Sequence, residues 1–156
     1  MNLSMIAYIV GCVIEIEAAL MLLPALVGLC YQEKSGWAFV LVAVAAALAG
    51  LLMVRKKPKN TNFFAREGMV ATALSWLIMS AIGAVPFTIT GQIPYYLDAL
   101  FEMVSGFTTT GASILRVVEE LDHCMLFWRS FSHWIGGMGV LVFLLAILPL
   151  AGGQNL

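Results

Sequence analysis

The sequence predicts an all-α membrane protein with four transmembrane helices and one short re-entrant helix that is followed by a loop. Of its 156 residues, 62% are hydrophobic and only 11% are charged, and the mean hydropathy is +0.96. A soluble domain carries about 25% charged residues. The apolar residues are also gathered into runs of about 20 or more, the length that a helix needs to cross the hydrocarbon core of a bilayer.

The same composition excludes several other classes of protein. Disordered chains need low hydrophobicity, and nucleic-acid-binding domains need a basic face, whereas this chain has a formal net charge of -1. The three cysteines, Cys12, Cys30 and Cys124, are too few for a disulfide scaffold. We therefore expect free thiols and no nucleic acid among the partners.

The first two apolar runs predict a leading pair of transmembrane helices. Residues 1–32 are interrupted only by Glu15 and Glu17, and residues 36–54 carry no charge. An ionised carboxylate inside the bilayer costs about 3 kcal/mol or more, which makes both glutamates candidates for function. Two positions apart on a helix, they point to different sides. We expect one to pair with a basic or polar group of a further repeat and the other to lie near the membrane interface.

The third run, residues 69–97, is too long for one helix. Pro86 and a Thr-Gly-Gln-Ile-Pro segment predict that its helix ends near Thr90. A new helix then begins at Pro94 and ends at Gly106. With a length of about 20 Å it cannot cross a core of about 30 Å, so it predicts a re-entrant hairpin between two spanning helices.

The fourth run extends from Ser130 to the C-terminus and predicts the last spanning helix. Basic residues predict the orientation, because cytoplasmic loops are enriched in Lys and Arg. Five of them lie between the second and third runs, namely Arg55, Lys56, Lys57, Lys59 and Arg66. This predicts a cytoplasmic N-terminus and an extracellular re-entrant segment, beside an acidic vestibule formed by Glu119, Glu120 and Asp122.

The loop after the short helix has small or hydroxylated side chains from Thr108 to Ser113. Non-helical backbone at membrane depth is tolerated only where it is buried in protein or lines water, and carbonyls that line water can ligate a cation. Gly111 offers the dihedral freedom that a run of aligned carbonyls needs. The partial negative charge at the C-terminus of the short helix also favours a cation over an anion.

Three segments carry a resemblance to a known family, namely residues 101–113 (FEMVSGFTTTGAS), 127–130 (FWRS) and 134–139 (WIGGMG). They resemble the first pore repeat of the Trk/Ktr/HKT potassium uptake superfamily, most of all its TrkH-like membrane subunits, and the match extends over essentially the whole chain. The resemblance implies two leading helices followed by a helix, pore loop and helix unit. It also implies potassium uptake across the cell membrane, with K⁺ as the transported ligand, no resident cofactor and no enzymatic activity.

In such a repeat the short helix is a pore helix and the loop is a selectivity filter. The filter residues that the resemblance implies are Thr109, Thr110, Gly111, Ala112 and Ser113, with potassium held at Thr109, Thr110 and Gly111. A glycine at the position of Gly111 goes with potassium selectivity in this family, whereas a serine goes with sodium preference. Ala112 and Ser113 depart from the potassium-channel signature, which implies a looser filter.

Members of the family carry four such repeats, and this chain contains one. We divide it into residues 1–60, two leading helices with the basic cytoplasmic loop, and residues 61–156, the first pore repeat. The other three quarters of a filter come either from further repeats of a longer protein or from further copies of this chain in a homotetramer. We favour the first alternative, in which this chain is a fragment. The alternative function is a non-conducting membrane assembly module that needs further repeats or subunits.

The family also implies a cytosolic nucleotide-binding regulatory subunit as a partner, besides membrane lipid. The basic loop is a candidate site for that subunit. The same loop is explained by membrane topology alone, and we favour that interpretation.

The last helix carries candidates for pore support or gating, namely Arg129, Gly136, Gly137 and Gly139. The resemblance implies that Arg129 anchors the pore helix, for example through Glu102 or Asp98. The glycines form either a hinge or a close helix contact, and we favour the contact. His133 has no second ligand at metal spacing, so we expect a core histidine. A hydrolase is disfavoured because Ser132 points about 100° away from that histidine.

Overall fold

The computed structural model describes residues 2–60 and 64–152, and within the last helix it describes the side chains up to residue 142 and that of Leu145. These ranges contain six α-helices and a short 3₁₀ turn at Val118–Glu120, and no strand. The helices are α1 Leu3–Leu20, α2 Leu22–Cys30, α3 Gly36–Val54, α4 Ala65–Ile89, α5 Tyr96–Phe107 and α6 His123–Gly152. The predicted all-α membrane fold is confirmed.

The spanning helices match the predicted runs with one shift. Three stretches in the described ranges are long and apolar enough to cross a membrane, namely Leu3–Cys30, Gly36–Val54 and Ala65–Ile89. The helix α6 has 30 residues, or about 45 Å, and takes the place of the fourth run. It begins at His123, before the apolar run that starts at Ser130, and it includes Arg129, whose charge is paired inside the protein with Glu102. Residues 153–156, where that run ends, lie outside the described residues.

The first run is interrupted at Met21, so the single leading helix that was expected is two helices. Pro24 explains the break. A proline has no N–H for the carbonyl four residues earlier, and its ring clashes with that carbonyl, which here belongs to Leu20, the last residue of α1.

The end of α4 and the beginning of α5, on either side of the turn that connects them, lie close to the predicted positions. The helix α4 ends at Ile89 with Thr90 as its C-cap, but it begins at Ala65 and so includes Arg66 in its first turn. The helix α5 has 12 residues, or about 18 Å, which is too short to span the membrane. It packs between α4 and α6, as a re-entrant helix should.

Helices α1, α2 and α3, which we call the leader hairpin, approach each other closely at glycines. A Cβ at Gly11 would lie 2.8 Å from the Cβ of Met53, and a Cβ at Gly28 would lie 2.9 Å from the Cα of Gly36. One stripe of α1 packs on α3 and α4 and consists of Ile6, Val10, Ile14 and Ala18. Glu17 belongs to this buried face and is 0% exposed. Glu17 is therefore enclosed by this chain in the present conformation, and the expected pairing with a further repeat stays a prediction for Glu15.

A second core lies around large side chains of α4, α5 and α6, and Phe39 of α3 also belongs to it. Phe87, Met103, Phe107 and Trp128 are all 0% exposed. The indole N–H of Trp128 donates to the carbonyl of Gly83 at 3.1 Å, so α6 is fixed against α4 at the level of α5.

Glu33, in the α2–α3 loop, caps the N-terminus of α6. Its carboxylate accepts hydrogen bonds from the amides of His123 at 2.9 Å and Cys124 at 3.1 Å, and its Oε1 lies 2.7 Å from the His123 ring nitrogen Nδ1. Partial burial raises the pKa of Glu33, but these hydrogen bonds outweigh it, and the net pKa is lower than usual. The cap ties the leader hairpin to the helices α4, α5 and α6.

Asp122 is part of the same junction. It accepts hydrogen bonds from the Ser35 hydroxyl at 2.5 Å and from the Gln92 side-chain amide at 3.0 Å. Asp122 is therefore partly buried in the junction, whereas Glu119 and Glu120 are exposed, and the acidic vestibule of these three carboxylates stays a prediction.

Candidate functional site

The helix α5 ends in a Schellman turn, and this turn starts the loop. The amide of Thr109 donates to the carbonyl of Gly106 at 3.0 Å, and the amide of Thr110 donates to that of Ser105 at 2.9 Å, which are the two hydrogen bonds of this motif. The left-handed residue that the motif requires is Thr109, with φ of 56°. A β-branched residue is strained there. The sequence predicted this dihedral freedom at Gly111 and did not indicate it at Thr109.

Gly111 has φ of 77°, in the left-handed region that suits glycine. A Cβ built at this position meets no heavy atom within 4 Å. The backbone conformation, and not crowding, is therefore the reason for glycine at this position.

Hydroxyl groups tether the two ends of the loop. The Ser105 hydroxyl donates to the carbonyl of Ala112 at 2.6 Å, and the Thr109 hydroxyl donates to the carbonyl of Thr108 at 2.7 Å. Two carbonyls of the loop are thus held by the protein itself.

Between these tethers lie three carbonyls that remain available. Among the described residues, none donates a hydrogen bond to the carbonyl oxygen of Thr109, Thr110 or Gly111, and residues 108–114 are all exposed. An unsatisfied carbonyl in hydrocarbon costs several kcal/mol, so this segment must meet water, protein or a ligand. Free carbonyls can replace the hydration shell of a cation.

Glu102 holds the far end of the loop from behind. Its side chain is 1% exposed. Oε1 accepts hydrogen bonds from the Ser113 hydroxyl and the Ile114 amide, both at 2.6 Å, and Oε2 accepts one from Arg129 Nε at 3.0 Å. Of the two contacts suggested for Arg129, the structure therefore shows the one to Glu102 and not one to Asp98. The Ser113 side chain is directed at this carboxylate.

The glycines of α6 have three different surroundings. A Cβ at Gly136 would collide with the carbonyl oxygen of Phe107, the last residue of the pore helix, and a Cβ at Gly139 would lie 3.2 Å from the ring of Trp76. A Cβ at Gly137 would meet nothing within 4 Å. Close packing explains Gly136 and Gly139, but it does not explain Gly137.

The remaining candidates are structural. The His133 ring nitrogen Nδ1 lies 3.0 Å from the carbonyl of Arg129, and residues 2–60 and 64–152 hold no group of three His, Cys, Asp or Glu side chains that could bind a metal ion. The cysteines Cys12, Cys30 and Cys124 are free, as predicted.

Sequence reasoning missed the extent of the network around Glu102 and the tether from Ser105. One signal was present, because a carboxylate in a short re-entrant helix needs a cation and Arg129 is a suitable one. The hydrogen bonds to Ser113 and Ile114 have no such signal.

Spanning helices around a short re-entrant helix, which ends at a loop of free carbonyls, define a helical membrane protein of the pore-loop type. The family described as TrkH, cation transport protein, matches residues 37–155. The chain belongs to this family, and it is a multi-pass membrane protein.

Similar proteins support this assignment. An uncharacterized cation transporter of Methanocaldococcus jannaschii is 38% identical over 148 residues, which are 94% of this chain and 31% of that protein. The Trk system potassium uptake protein TrkH of Escherichia coli strain K12 is 36% identical over 154 residues, 97% of this chain and 32% of that protein.

Among solved structures, the crystal structure of the potassium transporter TrkH from Vibrio parahaemolyticus matches with a TM-score of 0.88 and 34% identity, over 99% of this chain and 34% of that chain. This chain thus spans about a third of the length of these relatives. The relatives are transporters, which confirms the expectation that the protein is not an enzyme.

Proposed function

We propose that this chain supplies one quarter of the selectivity filter of a potassium uptake protein. The observation that carries the proposal is the set of free, exposed carbonyls at Thr109, Thr110 and Gly111, at the C-terminus of the pore helix. They take the place of water around a dehydrated K⁺ ion, and the helix C-terminus adds a negative dipole. The carbonyls of Ala112 and Ser113 continue the path on the extracellular side.

The two proposed parts of the chain have different tasks. Residues 1–60 form the leading helices, and residues 61–156 form the pore repeat. One loop cannot surround an ion, so the other three loops come from further repeats or from three further copies of this chain. The transported K⁺ is the only ligand that the site requires, and surrounding lipid covers the outer apolar faces.

The basic loop, residues 55–59, sets the proposed orientation. It lies in the cytoplasm, which places the N-terminus inside and the filter loop on the extracellular side. Membrane topology accounts for the positive charge of this loop, which is also the candidate site for a cytosolic nucleotide-binding regulatory subunit.

Growth of a strain without potassium uptake at limiting potassium tests the filter. The variant Gly111→Ser, placed in the complete transport protein or assembly, should lose potassium-dependent growth. Gly91→Ser is a matched control, because Gly91 also has a left-handed φ, 71°, and open space around it, but lies outside the loop. Equal growth of the two variants would contradict the proposal.

A second candidate function is a membrane module that does not conduct by itself. It is favoured by the exposure of residues 108–114 in the single chain. Crosslinking of the 156-residue chain in membranes, combined with potassium flux in liposomes, distinguishes the two. A discrete tetramer with flux supports a homotetrameric pore, and a monomer without flux supports the module.

A further inference from the structure

The core of the leader hairpin contains a carboxyl group without any partner. Glu17 lies inside the span Leu3–Cys30 and is 0% exposed. Neither of its oxygens, Oε1 or Oε2, has a hydrogen-bond partner among the described residues. Buried polar side chains are nearly always hydrogen-bonded, so this group requires an explanation.

The elements packed against α1 offer no positive charge to Glu17. The helix α3 has no titratable side chain over its whole length, Gly36–Val54. The other titratable residues of α1, α2 and α4 are Tyr8, Cys12, Glu15, Cys30, Arg66 and Glu67. Arg66 is the one cation among them, and it is exposed in the first turn of α4. An ionised Glu17 would therefore be an isolated charge in an apolar core.

A charge in such surroundings is removed by protonation, because the neutral form avoids the solvation cost of an unpaired ion. We infer that Glu17 binds a proton in this conformation and is a neutral carboxylic acid, so that the core of the leader hairpin is a proton-binding site. The ligand is H⁺, held as the O–H of the carboxyl group. The inference does not depend on the proposed filter.

Glu15 provides the contrast within the same helix. Its Oε1 is also buried without a hydrogen-bond partner among the described residues, but its Oε2 is not, and the side chain as a whole is only half-buried, beside Gly50 of α3. A Cβ at position 50 would lie 2.6 Å from Glu15 Oε1, so the glycine leaves room for this side chain at the helix contact. The variant Glu15→Gln therefore controls for the loss of a glutamate in α1.

Infrared spectroscopy of the chain in lipid vesicles at neutral pH tests the inference. The wild-type protein should show the C=O stretching band of a protonated carboxylic acid, and the band should shift when glutamate carries ¹³C at its side-chain carboxyl. Glu17→Gln should lose the band, and Glu15→Gln should retain it. A wild-type spectrum without the band, or a band that Glu17→Gln leaves unchanged, would overturn the inference.

Discussion

Two glutamates of this chain are equally buried and have opposite surroundings. Glu102 in the pore helix is 1% exposed, and both of its oxygens are occupied, by Ser113, Ile114 and Arg129. Glu17 in the leader hairpin is 0% exposed, and neither oxygen has a partner. Burial alone therefore does not define the role of a carboxyl group. Partners make one of them the charged anchor of a loop, and the lack of partners makes the other a proton site.

The same substitution at both positions should give the largest difference. Glu102→Gln places an NH₂ group against a donor and leaves the partly buried Arg129 without a countercharge, so we expect a loss of about 3 kcal/mol. Glu17→Gln replaces a neutral acid by a neutral amide of the same shape, and we expect a change of less than about 1 kcal/mol. Thermal or denaturant unfolding in detergent measures both. Equal losses would remove the distinction between the two regions.

The glycines of α6 test how tightly the pore helix is held. Gly136→Ala forces a Cβ onto the Phe107 carbonyl, and overpacking of this kind costs about 1 to 3 kcal/mol. Gly137→Ala meets no atom and should be neutral or stabilising by up to about 1 kcal/mol, because alanine favours helix. Unfolding of the two variants measures the difference. A destabilisation at Gly137 as large as that at Gly136 would mean that helix bending, and not close packing, governs this segment.

The tether from Ser105 should matter for the loop more than for the fold. Ser105→Ala removes the hydrogen bond to the carbonyl of Ala112, at a cost of about 1 kcal/mol, and frees a filter carbonyl to move. Ser80→Ala removes a comparable hydroxyl, which bonds within α4 to Trp76. We expect similar stability for both variants and a reduced preference for potassium over sodium only in Ser105→Ala. Uptake of the two ions measures this preference, and an identical preference in both variants would contradict a positioning role.

The cap formed by Glu33 should give the smallest effect and depend on pH. Its pKa is lowered by the amides of His123 and Cys124, which outweigh partial burial. Because the pKa of Glu33 is lower in the folded state than in the unfolded chain, the cap stabilises the fold at pH values above the unfolded-state pKa of about 4.3. This stabilisation is lost as the pH falls through the folded-state pKa. The wild-type chain should therefore lose more stability on acidification than Glu33→Gln. Unfolding curves at neutral and acidic pH measure the difference, and parallel losses would exclude the cap as the source.

The elements that were predicted well are those determined by local sequence. The uncharged run of α3 and its bounds, Gly36–Val54, follow from hydropathy. The re-entrant helix follows from the turn residues before it and Gly106 near its end. For α6 the uncharged run alone begins at Ser130, whereas the helix begins at His123 and includes Arg129, whose charge is neutralised by a residue 27 positions away.

The site was predictable in its location and not in its detail. The loop and Gly111 follow from composition, chain punctuation and the resemblance to the family. The left-handed Thr109 does not, since threonine disfavours that conformation and only the complete Schellman turn requires it. The burial of Glu17 within this chain also depends on how three helices meet, which a single run of residues does not indicate.

The ratio of potassium to sodium flux in liposomes tests the central claim most directly, with the complete transport protein or assembly carrying either Gly111→Ser or Gly91→Ser. Both substitutions place a side chain on a left-handed glycine in open space, so they share their backbone strain. The filter account predicts that the ratio falls at least about tenfold for Gly111→Ser, equivalent to about 1.4 kcal/mol of selectivity, and stays at the wild-type value for Gly91→Ser. An unchanged ratio in Gly111→Ser would contradict it.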